Sequence, residues 1–340
     1  MNPVPGLDVG RLRTHLDREQ PGLVRGPLRA SVVPGGRSNL TYTIDDGMSH
    51  WVLRRPPLGH VLATAHDMAR EFRVISALAG VIPVPRTVLL CEDAGVIGAP
   101  FYLMQRVEGT VYRSGAQTSL LSDEDKRPLA FSLVDVLADL HRVDPAAVGL
   151  ADFGHPQGFL ERQVRRWSGQ LEHSRSRDVA GIDRLREQLS SWVPVSPAPT
   201  LVHGDYRLDN VMVDARRRIV AVLDWEMATL GDPLTDLGLF LVFWDGMAGM
   251  ENPLLGGEGG RAGFPSGRAL LQRYRERNDV DLGPLDWYLA FAYFKLAVIA
   301  EGIFFRFTRG QTVGTGFAEF GDLVEPLVRR GIDVIGGSGR

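Results

Sequence analysis

Leu201-Val202-His203-Gly204-Asp205-Tyr206-Arg207-Leu208-Asp209-Asn210-Val211-Met212-Val213, followed after a basic turn by Ile219-Val220-Ala221-Val222-Leu223-Asp224-Trp225-Glu226, decides how this chain folds. Two apolar runs rich in β-branched residues flank Asp214-Ala215-Arg216-Arg217-Arg218 and read as a small hairpin. Leu201-Val202 leads into a polar loop that carries Asp205 and Asn210, and the last run ends on Asp224. The loop and Asp224 are therefore expected at the ends of adjoining strands, close enough to share a metal ion.

The residue types suit one chemistry. In kinase-type phosphoryl transfer an Asp on a loop orients the acceptor hydroxyl and takes its proton, while an Asn and a second Asp hold Mg²⁺ against the phosphates. Asp205 fits the first role; Asn210 and Asp224 fit the metal roles. His203 is assigned to bracing the loop. Arg207 occupies the place where protein kinases carry a Lys that stabilises the transferred group; a salt bridge with Asp209 or a solvated side chain are the alternatives. Asp236 is expected to anchor the loop backbone. Trp225 and Glu226 stand where protein kinases carry Phe-Gly, which argues against an activation loop and makes Glu226 a further candidate for the metal shell.

From Leu201 to Asp236 the chain resembles the aminoglycoside phosphotransferase and choline kinase-like family, whose signature is His-Gly-Asp, four residues, Asn, and an Asp ending the next hairpin. Arg54-Arg55-Pro56-Pro57, Arg70-Glu71-Phe72, Pro100-Phe101-Tyr102-Leu103-Met104 and Leu223-Asp224-Trp225-Glu226 are similar to the subfamily related to the phosphotransferase domain fused to some acyl-CoA dehydrogenases. The resemblance spans roughly residues 30 to 310. It implies an α+β, two-lobed protein-kinase-like fold, ATP or GTP as donor, Mg²⁺, and a hydroxyl on a small molecule as acceptor.

The pattern along the chain agrees. Strand-like runs at Leu28 to Val33, Asn39 to Ile44, Trp51 to Arg55, Thr87 to Leu90 and Phe101 to Val107, with one helix from about Ala65 to Ala79, predict a small antiparallel sheet. From Ser122 the pattern is helical: Leu129, Leu133, Val136, Leu137 and Leu140 recur at three-to-four spacing, with Ser122 and Asp125 placed for a cap. The expected lobes are residues 1–107 for the nucleotide and 108–340 for catalysis and the acceptor. Gly246 to Gly267 reads as a lid or an unstructured insertion, and Gly336 to Arg340 as a disordered tail.

The small lobe offers the donor-binding parts. Gly35 and Gly36 let the backbone approach phosphates, and Ser38 or Asn39 can donate to them; a plain hairpin turn is the alternative. Strand alternation puts Val52 and Arg54 on one face and Trp51, Leu53 and Arg55 on the other. Val52 would roof the base while Arg54 or Arg55 reaches the phosphates, where the family commonly has Lys. Glu71 shares a helix face with Met68, Ile75 and Leu78, so it either needs a partner such as Arg54 or lies on the solvated edge. By resemblance, backbone groups of Gln105 to Val107 would bind the adenine edge, and Met104 would line the pocket.

With 340 residues, 44% apolar and 23% charged, the chain can bury a sizeable core. A net charge of −3 gives no footprint for nucleic acid or an anionic membrane. The single Cys91 allows no internal disulfide, and the first residues lack signal-peptide character, so the expected location is cytoplasmic. Trp287 to Phe305 has transmembrane length, yet Lys295 and Glu301 make it a buried helix instead. An aminoglycoside site should be rich in carboxylates; Tyr288, Tyr293, Lys295, Phe304, Arg306 and Arg309 suggest an anionic or partly apolar acceptor. A hydroxyacyl-CoA-like acceptor follows from the subfamily resemblance. The competing readings are a catalytically silent nucleotide-binding regulator and a metal-dependent hydrolase using His203, Asp205 and Asp224. Nothing in the sequence addresses oligomeric state.

Overall fold

The computed structural model describes residues 4–33, 39–58, 67–252, 257–258, 262–312 and 315–337. Gly35, Gly36 and Ser38, the centre of the Gly246 to Gly267 segment and the last three residues lie outside this set. The chain forms two compact units: residues 1–109 with 220–228, and residues 110–219 with 229–340.

The first unit is a five-stranded antiparallel sheet in the order β1-β2-β3-β5-β4. Its strands are β1 (Arg29–Val32), β2 (Leu40–Asp45), β3 (His50–Arg55), β4 (Thr87–Cys91) and β5 (Phe101–Gln105); its helices are α1 (Val9–Glu19) and α2 (Met68–Leu78). Asp8 caps α1 and Asp67 caps α2, each accepting a backbone N–H three residues on. One sheet face packs Tyr42, Ile44, Trp51 and Leu53 against Leu12 and Leu16 of α1. In α2, Met68, Glu71, Val74, Ile75 and Leu78 form the buried face, so a carboxylate does sit within the apolar stripe.

The second unit is mainly helical: α3 (Gly115–Thr118), α4 (Asp123–His141), α5 (Phe159–Ser174), α6 (Ile182–Ser191), α7 (Pro233–Leu241), α8 (Gly267–Arg277), α9 (Leu285–Thr308) and α10 (Glu319–Ile335). Ser122 caps α4 by accepting the Asp125 N–H at 3.2 Å, as the sequence indicates. Strands β6 (Thr200–Val202) and β9 (Thr229–Gly231) pair antiparallel. Between them run β7 (Val211–Val213), a turn closed by the Asp214 N–H on the Arg218 carbonyl, and β8 (Ile219–Val222), within which the chain passes into the first unit. Two-residue strands β10 (Glu251–Asn252) and β11 (Gly257–Glu258) lie in the segment expected to be a lid or an insertion.

The helix of transmembrane length, α9, is the spine of this unit: α5, α6, α7 and α10 all pack on it. Two thirds of its most apolar window is buried inside the protein. Glu301 is fully buried there and accepts from the Ser176 N–H and Oγ and from Arg177 Nε, so its charge is matched within the fold. The approach of α7 to α9 depends on Gly238, where an added Cβ would lie 2.9 Å from the Tyr288 carbonyl oxygen. That neighbour is backbone and cannot swing away. Gly238→Ala is therefore expected to destabilise by about 1–3 kcal/mol, read by calorimetry as a Tm lower by roughly 2–4 °C per kcal/mol.

Candidate active site

In the first unit, Arg54 joins two acidic groups that are far apart in sequence. Its guanidinium lies 2.8 Å from Glu71 Oε1 and donates to Asp224 Oδ1 at 3.1 Å. β3 alternates as expected, and it is Arg54 that faces these partners; Arg55 lies on the opposite face and donates to the carbonyls of Gly6, Pro56 and Ile97. Across the strand pair, Val52 is opposite Met104 and Arg54 opposite Tyr102, so these four side chains share one face. Tyr102 is a site residue that sequence reasoning misses, although it stands two residues before Met104, the strand period.

Burial dominates the electrostatics here. Glu71 is 1% exposed, with the Arg54 guanidinium and the Tyr102 hydroxyl as its polar neighbours. Its carboxyl is pushed up to about 7 by burial, with Arg54 opposing and Asp224 and Glu226 reinforcing the rise. Arg54 resists the effect of its own burial because Glu71, Tyr102 and Asp224 hold it charged, above the usual guanidinium range. Asp224 adopts φ +65°, a left-handed conformation that Asp tolerates better than most residues. The turn it begins is tied down by Trp225 Nε1 on the Val222 carbonyl and by the Val222 N–H on the Pro83 carbonyl.

Asn39 is buried, and its amide donates one hydrogen bond to Glu226 Oε2 at 3.2 Å, which braces the Asp-Trp-Glu turn and leaves one N–H of the amide for another acceptor. A buried amide must find a partner, and this carboxylate supplies one. The strand ends at Gln105, and the Gln105 and Arg106 N–H groups are spent on the carbonyls of Arg86 and His50. Neither can bind an adenine edge as a donor. The Val107 N–H has no partner among the described residues and keeps that capacity.

In the second unit, Gly204 has φ +84°, which accounts for glycine in the loop. Asp236 accepts the N–H groups of His203 and Gly204 at 2.6 and 2.7 Å, anchoring the backbone as the sequence suggests. His141 Nε2 lies 3.4 Å from Asp236 Oδ2, and its Nδ1 is 2.8 Å from the Tyr274 hydroxyl. Burial works against the Asp236 charge, but the His141 and His203 contacts outweigh it and hold the carboxyl below its usual range. His141 and Tyr274 carry no local signal, since α4 and α8 bring them to Asp236 from separate parts of the chain. His203 is fully buried, with Nδ1 accepting the Asp205 N–H at 3.2 Å, the position of a loop brace.

Asn210 Nδ2 donates to both Asp205 Oδ2, at 2.8 Å, and the Asp205 carbonyl, at 2.9 Å. This fixes the amide and leaves its oxygen as an acceptor. That oxygen and the Asp205 carboxylate are hard oxygen donors, the type that suits Mg²⁺. Arg207 forms the Asp209 pair named as an alternative, at 2.5 Å, while its Nε is 3.7 Å from Asp205 Oδ2 and its guanidinium lies over the Phe243 ring. Tyr288 and Tyr293 leave the set of acceptor candidates: both are buried, with their hydroxyls on Asp232 and on the Gly246 carbonyl. An apolar helix at the centre of the unit buries its aromatic residues regardless of function.

Fold and loop geometry together define a kinase-like α+β protein. The profile of the phosphotransferase enzyme family matches residues 29–277, and the chain belongs to that family. Human acyl-CoA dehydrogenase family member 11 is 34% identical over 306 residues, covering 88% of this chain but 39% of that protein. Mouse acyl-CoA dehydrogenase family member 10 is 33% identical over 310 residues, covering 89% and 29%. The chain thus spans well under half the length of these relatives. A Ralstonia eutropha protein solved as a candidate aminoglycoside phosphotransferase superposes with TM-score 0.83 at 31% identity, covering 97% of this chain and 98% of that one. The GDP and kanamycin complex of APH(2")-IIia shares the fold, at TM-score 0.63 and 17% identity, covering 94% and 97%.

Proposed function

We propose that this phosphotransferase moves the γ-phosphate of ATP or GTP, with Mg²⁺, to a hydroxyl of a small anionic or hydroxyacyl-CoA-like molecule in the cytoplasm. The observation that carries the proposal is the engagement of Arg54 with both Glu71 and Asp224. A buried, permanently charged guanidinium held by one carboxylate and touching another is suited to phosphate oxygens and to a metal-binding Asp. When bound, Mg²⁺ would neutralise charge on the phosphates.

The chain's own residues would do the rest. Asp205 would orient the acceptor hydroxyl and take its proton, its carboxylate aimed by Asn210. Asn210, through its free oxygen, and Asp224 would hold the metal. Asp236 and His203 would keep the loop in place. Val52 and Met104 would line the base pocket, with the Val107 N–H as its donor. The acyl-CoA part of the reading is supported by the names of the relatives, and the anionic part by the commitment of two carboxylates near Asp205, Asp209 to Arg207 and Asp236 of α7 to the loop backbone.

The test is a γ-phosphate transfer screen with ATP and GTP against aminoglycosides, choline, sugars, hydroxy acids and hydroxyacyl-CoAs. Transfer to the anionic acceptors, abolished by EDTA and restored by Mg²⁺, is expected. Nucleotide binding without transfer to any acceptor would favour a silent regulator instead.

A further inference from the structure

Beside the catalytic loop, and wholly within the second unit, three groups keep hydrogen-bond donors without acceptors among the described residues. Lys295 Nζ, half-buried on α9, donates to the Gly204 carbonyl at 2.9 Å, one peptide from Asp205. That single bond leaves further N–H donors on the ammonium. The Lys295 ammonium is pushed down by burial, while Asp205 and Asp236 support its charge and Arg166 on α5 opposes it. Arg166 is exposed; its guanidinium lies over the Trp167 ring, 5.8 Å from the centre, and it forms no ion pair or hydrogen bond among the described residues. Next to it in sequence, Trp167 is 8% exposed and its ring centre lies 5.5 Å from Lys295 Nζ. The Trp167 Nε1–H is buried without an acceptor among the described residues. A buried, unpaired indole N–H is costly, and so is a second positive charge held within reach of a desolvated ammonium. One oxyanion would satisfy all three groups.

We infer that Lys295, Arg166 and the Trp167 Nε1–H form an oxyanion-reading set that grips a carboxylate or phosphate on the acceptor, close to the hydroxyl that Asp205 serves. This deepens the proposed function, on which it rests for the role of Asp205, and names the residues that set acceptor class. The same cations would repel polycationic acceptors, so selectivity comes from repulsion as well as attraction.

The test is a titration of the full chain labelled with ¹⁵N-tryptophan, using matched probes: 3-hydroxypropionate against its neutral amide, and glycerol 3-phosphate against glycerol. The chain has 6 tryptophans, and Trp167→Phe identifies the indole resonance in question while keeping a ring in place. At least one anionic probe is expected to shift that resonance saturably while its neutral partner does not; which one succeeds separates a carboxylate reader from a phosphate reader. Arg166→Ala, an exposed substitution that spares the fold, should weaken this binding about tenfold and leave ATP affinity unchanged. Equal shifts from charged and neutral probes, no shift from either anion, or an unchanged affinity in Arg166→Ala would overturn the inference. Failure of the phosphotransferase reading would instead appear as absent nucleotide binding and absent transfer, both measured apart from this titration.

Discussion

Asp205→Asn is expected to lower turnover by about 10²- to 10⁴-fold, the usual contribution of a positioned general base, while nucleotide affinity stays nearly constant. The substitution is close to isosteric, and the carbonyl that Asn210 Nδ2 also holds belongs to the backbone and survives it. The Gly204 carbonyl still receives Lys295, and Asp236 still receives the two loop N–H groups. What disappears is a proton acceptor. Steady-state kinetics paired with calorimetric titration of ATP separate the two effects. Wild-type turnover in this variant would remove Asp205 from the role of base.

Arg54→Ala should cost both activity and stability. It leaves Glu71 in the apolar stripe of α2 without its cation, and breaking a buried pair from one side typically costs about 3–5 kcal/mol. The loss depends on pH. Glu71 rises from an ordinary value of 4.5 to about 7 on folding, so its contribution to stability is fully present below the ordinary value and is lost as pH rises through the folded one. Arg54 is the main influence that limits this rise. Removing it moves the folded value higher and makes the loss with rising pH larger. The Tm deficit of Arg54→Ala relative to the parent is therefore expected to be small near pH 5 and to widen above pH 7. Adding Glu71→Met to an Arg54→Met variant should recover much of the stability and none of the transfer. A deficit that did not change with pH would show that Glu71 is not the group left stranded.

Much of this arrangement is legible in the sequence because it is local. The alternation along β3 separates Arg54 from Arg55, and the three-to-four spacing along α2 places Glu71 in the stripe by itself. Alternation does not say which face meets the helix and which meets the apolar packing of α1; that depends on the whole sheet. The link between the lobes is only partly legible for a related reason. Gln105 and Arg106 belong by sequence to a strand end, but their N–H groups are claimed by Arg86 and His50, partners that only strand pairing reveals. Asn39 reads as a phosphate donor from its neighbours in sequence; its bond to Glu226 is one that only the fold reveals. The Asp236, His141 and Tyr274 cluster joins three helices, and no spacing rule connects them. In the same way Arg166 and Trp167 look like an ordinary amphipathic stretch until α9 supplies Lys295.

The first unit is assembled from two separate stretches, residues 1–109 and 220–228. During synthesis from the amino terminus its sheet and helices emerge from the ribosome long before Asp224 does. Until then the Pro83 carbonyl lacks the Val222 N–H, the Arg70 guanidinium lacks the Ala228 carbonyl, and Arg54 holds Glu71 alone. A fragment ending near residue 109 would carry the same omissions permanently. The unit that would hold the donor nucleotide is thus completed only after most of the loop-bearing half has been made, which ties the maturation of one half of the enzyme to the translation of the other.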